Sequence, residues 1–162
     1  MELLHKIRAI LNPRTAENGR PDVKNPQKAL AIAYGQLLRL ADQIESHAGK
    51  APYPHVAARL RHIAVEKQNS ANTLRERISD AGGELKELRP EIKSGKNHWE
   101  RMVLDIEDQK MLEAQLLDEA LLLASDAPET SNLLRKIAFE QVPHREMLLD
   151  LVARADPQAD LT

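Results

Sequence analysis

Cysteine is absent from the 162 residues, and the aromatic side chains are only Tyr34, Tyr53, Trp99 and Phe139. The first absence excludes disulfides, thiolate metal sites and a cysteine nucleophile. The second removes the stacking platforms on which single-stranded nucleic acids are held. Charge of one sign is also lacking: 23 Lys and Arg stand against 25 Asp and Glu. That balance gives no global field for capturing a polyanion, so no nucleic-acid partner is expected. No apolar run nears the roughly 18 residues of a membrane span, and the opening residues lack the apolar centre of a secretory leader. A reducing cytoplasm is therefore the expected compartment. What remains, 42% hydrophobic and 30% charged residues, fits a helix-rich chain with one proper core.

Helix punctuation divides the chain. Leu3, Leu4, Ile7, Ile10 and Leu11 fall on one helical stripe, ahead of a stretch holding Pro13, Asn18, Gly19 and Pro21. This predicts a short amphipathic helix and linker over 1–25. Asn25 can cap, and Pro26 can open, a helix that runs to Ala48 and stops at Gly49. Pro52 and Pro54 precede another, from His55 to Asp80, closed by Gly82 and Gly83. Asn97 and Glu100 have capping-box spacing ahead of a helix from Trp99 to Ala124. Asp126, Pro128 and Glu129 start a last one, which ends near Asp156 and Pro157. No segment alternates with period two, so no sheet is expected.

An internal repeat sets the topology. Leu60-Arg61-His62-Ile63-Ala64-Val65-Glu66 matches Leu134-Arg135-Lys136-Ile137-Ala138-Phe139-Glu140 at five of seven positions, at an offset of 74 that Leu74 and Leu148 also keep. The chain reads as two similar helical hairpins, 26–80 and 97–156. A helix of about 25 residues is about 37 Å long, and the Gly- and Pro-containing segment 81–96 can span about 50 Å when extended. It is long enough to cross the whole bundle. The expected fold is all-α: a four-helix bundle at 26–156 with one long crossover, a short N-terminal helix before it and a tail at 157–162.

In that arrangement the chain resembles the ferritin-like, rubrerythrin-type superfamily. Helices of that family carry Glu-x-x-His followed by Leu four residues later, often with Gly-Gly at the helix end. Here Ser70 to Ile78 lead into Gly82 and Gly83; Lys67 takes the family's Glu place and Ser70 its His place, and the second hairpin offers Gln141 and His144. The resemblance implies a di-iron carboxylate bundle in which the ligands have degenerated. Such a site needs about four carboxylates and two imidazoles pointing inward. Shifting by one residue to Glu66 with Asn69, and Glu140 with Pro143, fails as a repeat because proline has no ligating side chain.

Helical phase places polar residues on each apolar stripe near mid-helix. These are Gln36, Lys67 and Ser70, then Gln109, Lys110 and Glu113, then Gln141 and His144, while Glu66 falls on a flank. Two readings follow. The residues form a buried polar belt, with Lys67 and Glu113 as an ion pair, or the charged pair reaches solvent at a bundle edge. His144 reads first as a hydrogen-bonded core histidine and second as a surviving metal ligand. Pro143 before it predicts a kink. His98 and Trp99 read as an anchor for the crossover, and Lys93, Lys96, His98 and Arg101, interleaved with Glu91 and Glu100, as a solvated connector.

Three functions are compatible with this pattern. The first is a non-catalytic bundle without a di-metal site or cofactor, with a structural or protein-interaction role and self-association as a homodimer. The second is a metal-dependent oxidase or iron-handling protein with an atypical site of Glu113, Glu140, His144 and Glu66. The third is a membrane-surface anchor at residues 2–11, whose short length makes stable membrane association unexpected. No phosphate loop, His-Glu-x-x-His motif or suggestive Ser-His-Asp spacing occurs.

Overall fold

The computed structural model describes residues 25–85 and 91–158. The amphipathic stripe at 2–11, its linker and the end of the tail lie outside the described residues. Five helical segments follow in order: α1 (Pro26–Ala48), α2 (Pro54–Asp80), α3 (His98–Leu123), α4 (Pro128–Glu140) and α5 (Val142–Arg154). Among the described residues there is no strand, and no helix is long and apolar enough to cross a membrane.

The helix ends follow from local chemistry. The Asn25 side chain accepts from the amides of Gln27 and Lys28, with Pro26 supplying a preset φ in the first turn. Asn97 accepts from the Glu100 amide at 2.8 Å, and Glu100 returns a bond to the amide of Lys96 rather than to that of the cap residue. At the end of α2, Gly82 takes φ +78, where a side chain would be strained, and Gly83 donates to the Ile78 carbonyl. The last rod is broken rather than continuous. Gln141 separates α4 from α5, because Pro143 has no N–H to continue the ladder to Phe139. The Gln141 carbonyl keeps its ladder bond from the Arg145 amide and accepts a second one from Gln109 Nε2, each at 3.1 Å.

The rods pack as two antiparallel hairpins. α1 packs most extensively on α2, α3 packs on α4 and α5, and α1 joins the hairpins by packing on α3. The C-terminal half of α1 reaches the N-terminal half of α3, where Gln43 and His47 meet Asp105, so these two helices are also antiparallel. Near the end of α2, Arg77 pairs with Glu129 at the start of α4. Lys93, at the far end of the connector, lies instead against His47. The described ends of the connector therefore stand at opposite ends of the bundle.

The core is aliphatic. Leu30, Leu37, Ile44, Leu60, Ile63, Leu74, Met102, Leu123, Leu134 and Leu148 are fully buried along the facing stripes. Leu60 and Leu134, equivalent in the repeat, are both core residues. Leu60→Ala and Leu134→Ala should each cost about 2–5 kcal/mol. Urea unfolding of the two variants checks this, with an unchanged m value and a lowered midpoint as the expected outcome.

Candidate functional site

Lys67 is the middle residue of α2, and its side chain is completely buried. Its ammonium donates to Gln109 Oε1 of α3, to Gln141 Oε1 at 2.6 Å and to His144 Nδ1 at 3.2 Å. Three ammonium hydrogens thus meet three acceptors from the opposite hairpin. An isolated charge here would be prohibitive, and complete hydrogen bonding is what makes it tolerable. Gln109 completes the set by donating from Nε2 to the Gln141 carbonyl and, at 3.4 Å, to Glu113 Oε2. The Gln141 Nε2 atom is buried without a partner among the described residues. Turning that amide over would set an N–H donor against the ammonium, so its orientation is fixed by Lys67.

The belt exists, but its ionic pairing differs from expectation. Glu113 pairs with Arg145 at 3.0 Å, one turn beyond Gln141 on α5, and does not bond Lys67. Helical phase gives the face on which Glu113 lies, whereas the break before α5 decides which cation reaches it. Gln36 is only half-buried, in a shallow groove between α1 and α3 with Gln115 and Glu119. Lys110 is exposed. Ser70 is buried and donates to Glu140 Oε2 at 3.3 Å.

His144 links the ammonium to solvent. Its Nδ1 accepts from Lys67, which leaves the proton on Nε2, and Nε2 donates to Glu66 Oε2 at 2.5 Å. Burial and the Lys67 charge push His144 down to about 4, against the pull of Glu66. At neutral pH the contact with Glu66 is therefore a hydrogen bond from a neutral ring, not an ion pair. Burial likewise brings Lys67 down to about 7, although the Glu113, Asp105 and Glu66 carboxylates favour its charged form. Glu66 stands half-exposed at a cleft of about 500 Å³ between α2 and the α4–α5 rod. Glu140, Asn69, Pro143 and His144 line the same cleft.

This donor set does not fit the di-iron centre that the resemblance implies. A cation already occupies the middle of the belt, and two of its neighbours are carboxamides. Metal ligation through His144 Nε2 needs a lone pair where Lys67 enforces a proton. Glu66, Glu140 and His144 share the cleft, while Glu113 is turned to Arg145. Among the described residues, no three His, Asp or Glu side chains group so as to hold a metal ion.

A second polar cluster pins the crossover. Asp105 is fully buried and accepts from His47 Nδ1 at 2.8 Å and from Gln43 Nε2 at 2.9 Å. Asp108 accepts from Lys93 Nζ at 2.7 Å, from Gln43 and from Arg39. Burial opposes the Asp108 charge, but hydrogen bonds from Lys93 and Gln43 and the Arg39 guanidinium hold the carboxyl below its usual range. The connector backbone joins in, with the Lys93 amide donating to Gln43 Oε1 and the Lys93 carbonyl facing His47 Nε2. Helical phase alone does not bring these residues together. The available signal was Asp105, a carboxylate set between Leu104 and Ile106 where the first hairpin has Ala31. His98, expected at the surface or as part of an anchor, is buried beside the half-buried Trp99. Arg101 is also buried, donating to the Lys50 carbonyl rather than lying solvated.

Compared with known proteins, the chain matches no protein-family model and no curated sequence.

Two outcomes follow. Between about pH 7 and 10.5 the unfolded chain binds a Lys67 proton that the folded chain releases, so stability rises with pH there; between 6.5 and about 4, the depressed His144 makes it fall as pH drops. Urea unfolding of wild type and Lys67→Met across this range checks it: the alkaline rise should flatten in the variant, and an identical slope would refute the assignment. Asp105→Ala should cost about 3 kcal/mol or more by stranding His47 and Gln43. Trypsin should then cut at Lys93 sooner than in wild type.

Proposed function

We propose that the protein is a non-catalytic, metal-independent bundle of ferritin-like type, with a structural or protein-interaction role exercised through self-association. One observation carries this reading: the Lys67 ammonium sits at the level where relatives of that type would hold metal, bonded by Gln109, Gln141 and His144. In its charged form the Lys67 side chain supplies the positive charge that the nearby carboxylates favour, and it repels any second cation. The buried network serves cohesion between hairpins, since Lys67 belongs to one and all three acceptors belong to the other. Lys67 is sealed, and His144 meets the cleft with its Nε2 proton already given to Glu66. The protein's working surface is then its exterior, where Met111, Leu117, Leu121 and Phe139 are exposed.

Elemental analysis tests the reading. Protein produced in iron- and manganese-supplemented medium should carry no stoichiometric metal, and its melting temperature should not move with a chelator. Stoichiometric metal that disappears in His144→Ala would overturn the proposal in favour of an atypical metal site.

A further inference from the structure

We propose that the outer face of α3 and α4 is the contact surface between two copies of this chain, with α3 of one copy against α4 of the other about a two-fold axis. This rests on the self-association proposed above and names its surface. The chain's single Phe, Phe139, is 68% exposed, and on the adjacent helix Leu121, Met111 and Leu117 are 72%, 67% and 47% exposed. Large apolar side chains gathered on two neighbouring helices mark an interaction surface more strongly than scattered ones do.

Position along the helices follows from two bonds across the pair. Ser131 Oγ donates to the Ala120 carbonyl, and Gln109 Nε2 to the Gln141 carbonyl. Counting from these, Phe139 stands level with Met111, and Arg135 within one turn of Asp118. A two-fold axis parallel to the helices keeps those levels, so Met111 of one copy meets Phe139 of the other and Asp118 meets Arg135. The charges are complementary in that sense. Exposed Glu107 and Asp118 outweigh Lys110 on α3, whereas Arg135 and Lys136 are exposed on the outer side of α4. Among the described residues, Asp118, Arg135 and Lys136 make no hydrogen bond or ion pair. A face with acid on one helix and base on the next complements itself and needs no foreign partner. Two helices about 20 Å long, with axes about 10 Å apart, offer about 400 Å² per copy, the size of a small, weakly associating interface.

Sedimentation of the full chain at tens of micromolar tests this. Wild type should have twice the 18.2 kDa chain mass, while Leu121→Ser with Phe139→Ser should be monomeric with unchanged helicity. Asp118→Arg and Arg135→Asp should each weaken dimerisation about tenfold, and the double exchange should restore most of that loss. A wild-type monomer would overturn both this surface and self-association. A wild-type dimer that survives the apolar double variant, or charge variants without rescue, would overturn the surface alone.

Discussion

A lysine ammonium in the centre of a helical bundle is stable only while every one of its hydrogens has an acceptor, and this requirement organises the structure around Lys67. The three acceptors come from α3, the α4–α5 junction and α5, so the cost of burying the charge is offset only when both hairpins are in place. Apolar packing alone would tolerate sliding or rotation between amphipathic rods. A cation with three directed bonds does not, because a small shift strands a charge in an apolar medium. The network contributes more to choosing one arrangement than to net stability.

The same requirement gives the helix break a role. At the break the Gln141 carbonyl keeps its ladder bond from the Arg145 amide and accepts a second bond from Gln109 Nε2. Gln109 then uses its oxygen on Lys67 and its nitrogen on the break, tying the charge to the kink. Lys67 and Gln141 are 74 residues apart, the offset of the internal repeat. Equivalent positions of the two hairpins thus meet and bond, as expected for residues near an axis relating two similar halves. In the repeat one half supplies the donor and the other an acceptor, so equivalent positions are filled by a complementary pair.

Much of the fold was legible because its determinants are local. Asn25 with Pro26, Asn97 with Glu100 and the Gly82–Gly83 pair mark helix ends by chemistry within a few residues, and the observed limits of α1, α2 and α3 lie within one residue of those read from them. The opposite placement of the connector's two ends was legible for a different reason: the parallel direction of α2 and α3 leaves no short route between them. Face assignment identified Lys67, Gln109, Gln141 and His144 as inward, but not their partners. A pairing such as Glu113 with Arg145 depends on the level at which two helices meet and on the local rotation introduced at Pro143. Neither quantity is encoded in the phase of a single helix. The Asp105 cluster escaped for the same reason, since its partners come from α1 and from the connector, 15 to 69 positions apart in the chain.

The two polar clusters divide the work of fixing the bundle. The Lys67 network joins α2 to the opposite hairpin along a side where the helices make little direct contact, which is also where the cleft beside Glu66 opens. The Asp105–Asp108 cluster joins α1 to α3 and clamps the connector at its end. In one the buried charge is positive and its three direct partners are neutral groups; in the other two buried carboxylates are answered by Lys93, Arg39, Gln43 and His47. Opposite charges at separate levels let each site satisfy itself locally, and Asp105 still favours the charged form of Lys67 from a distance. Between them lies a continuous aliphatic core that any amphipathic four-rod bundle could have built. The polar groups decide which rod faces which, and they leave the apolar face of α3 and α4 outside as surface that the fold itself does not use.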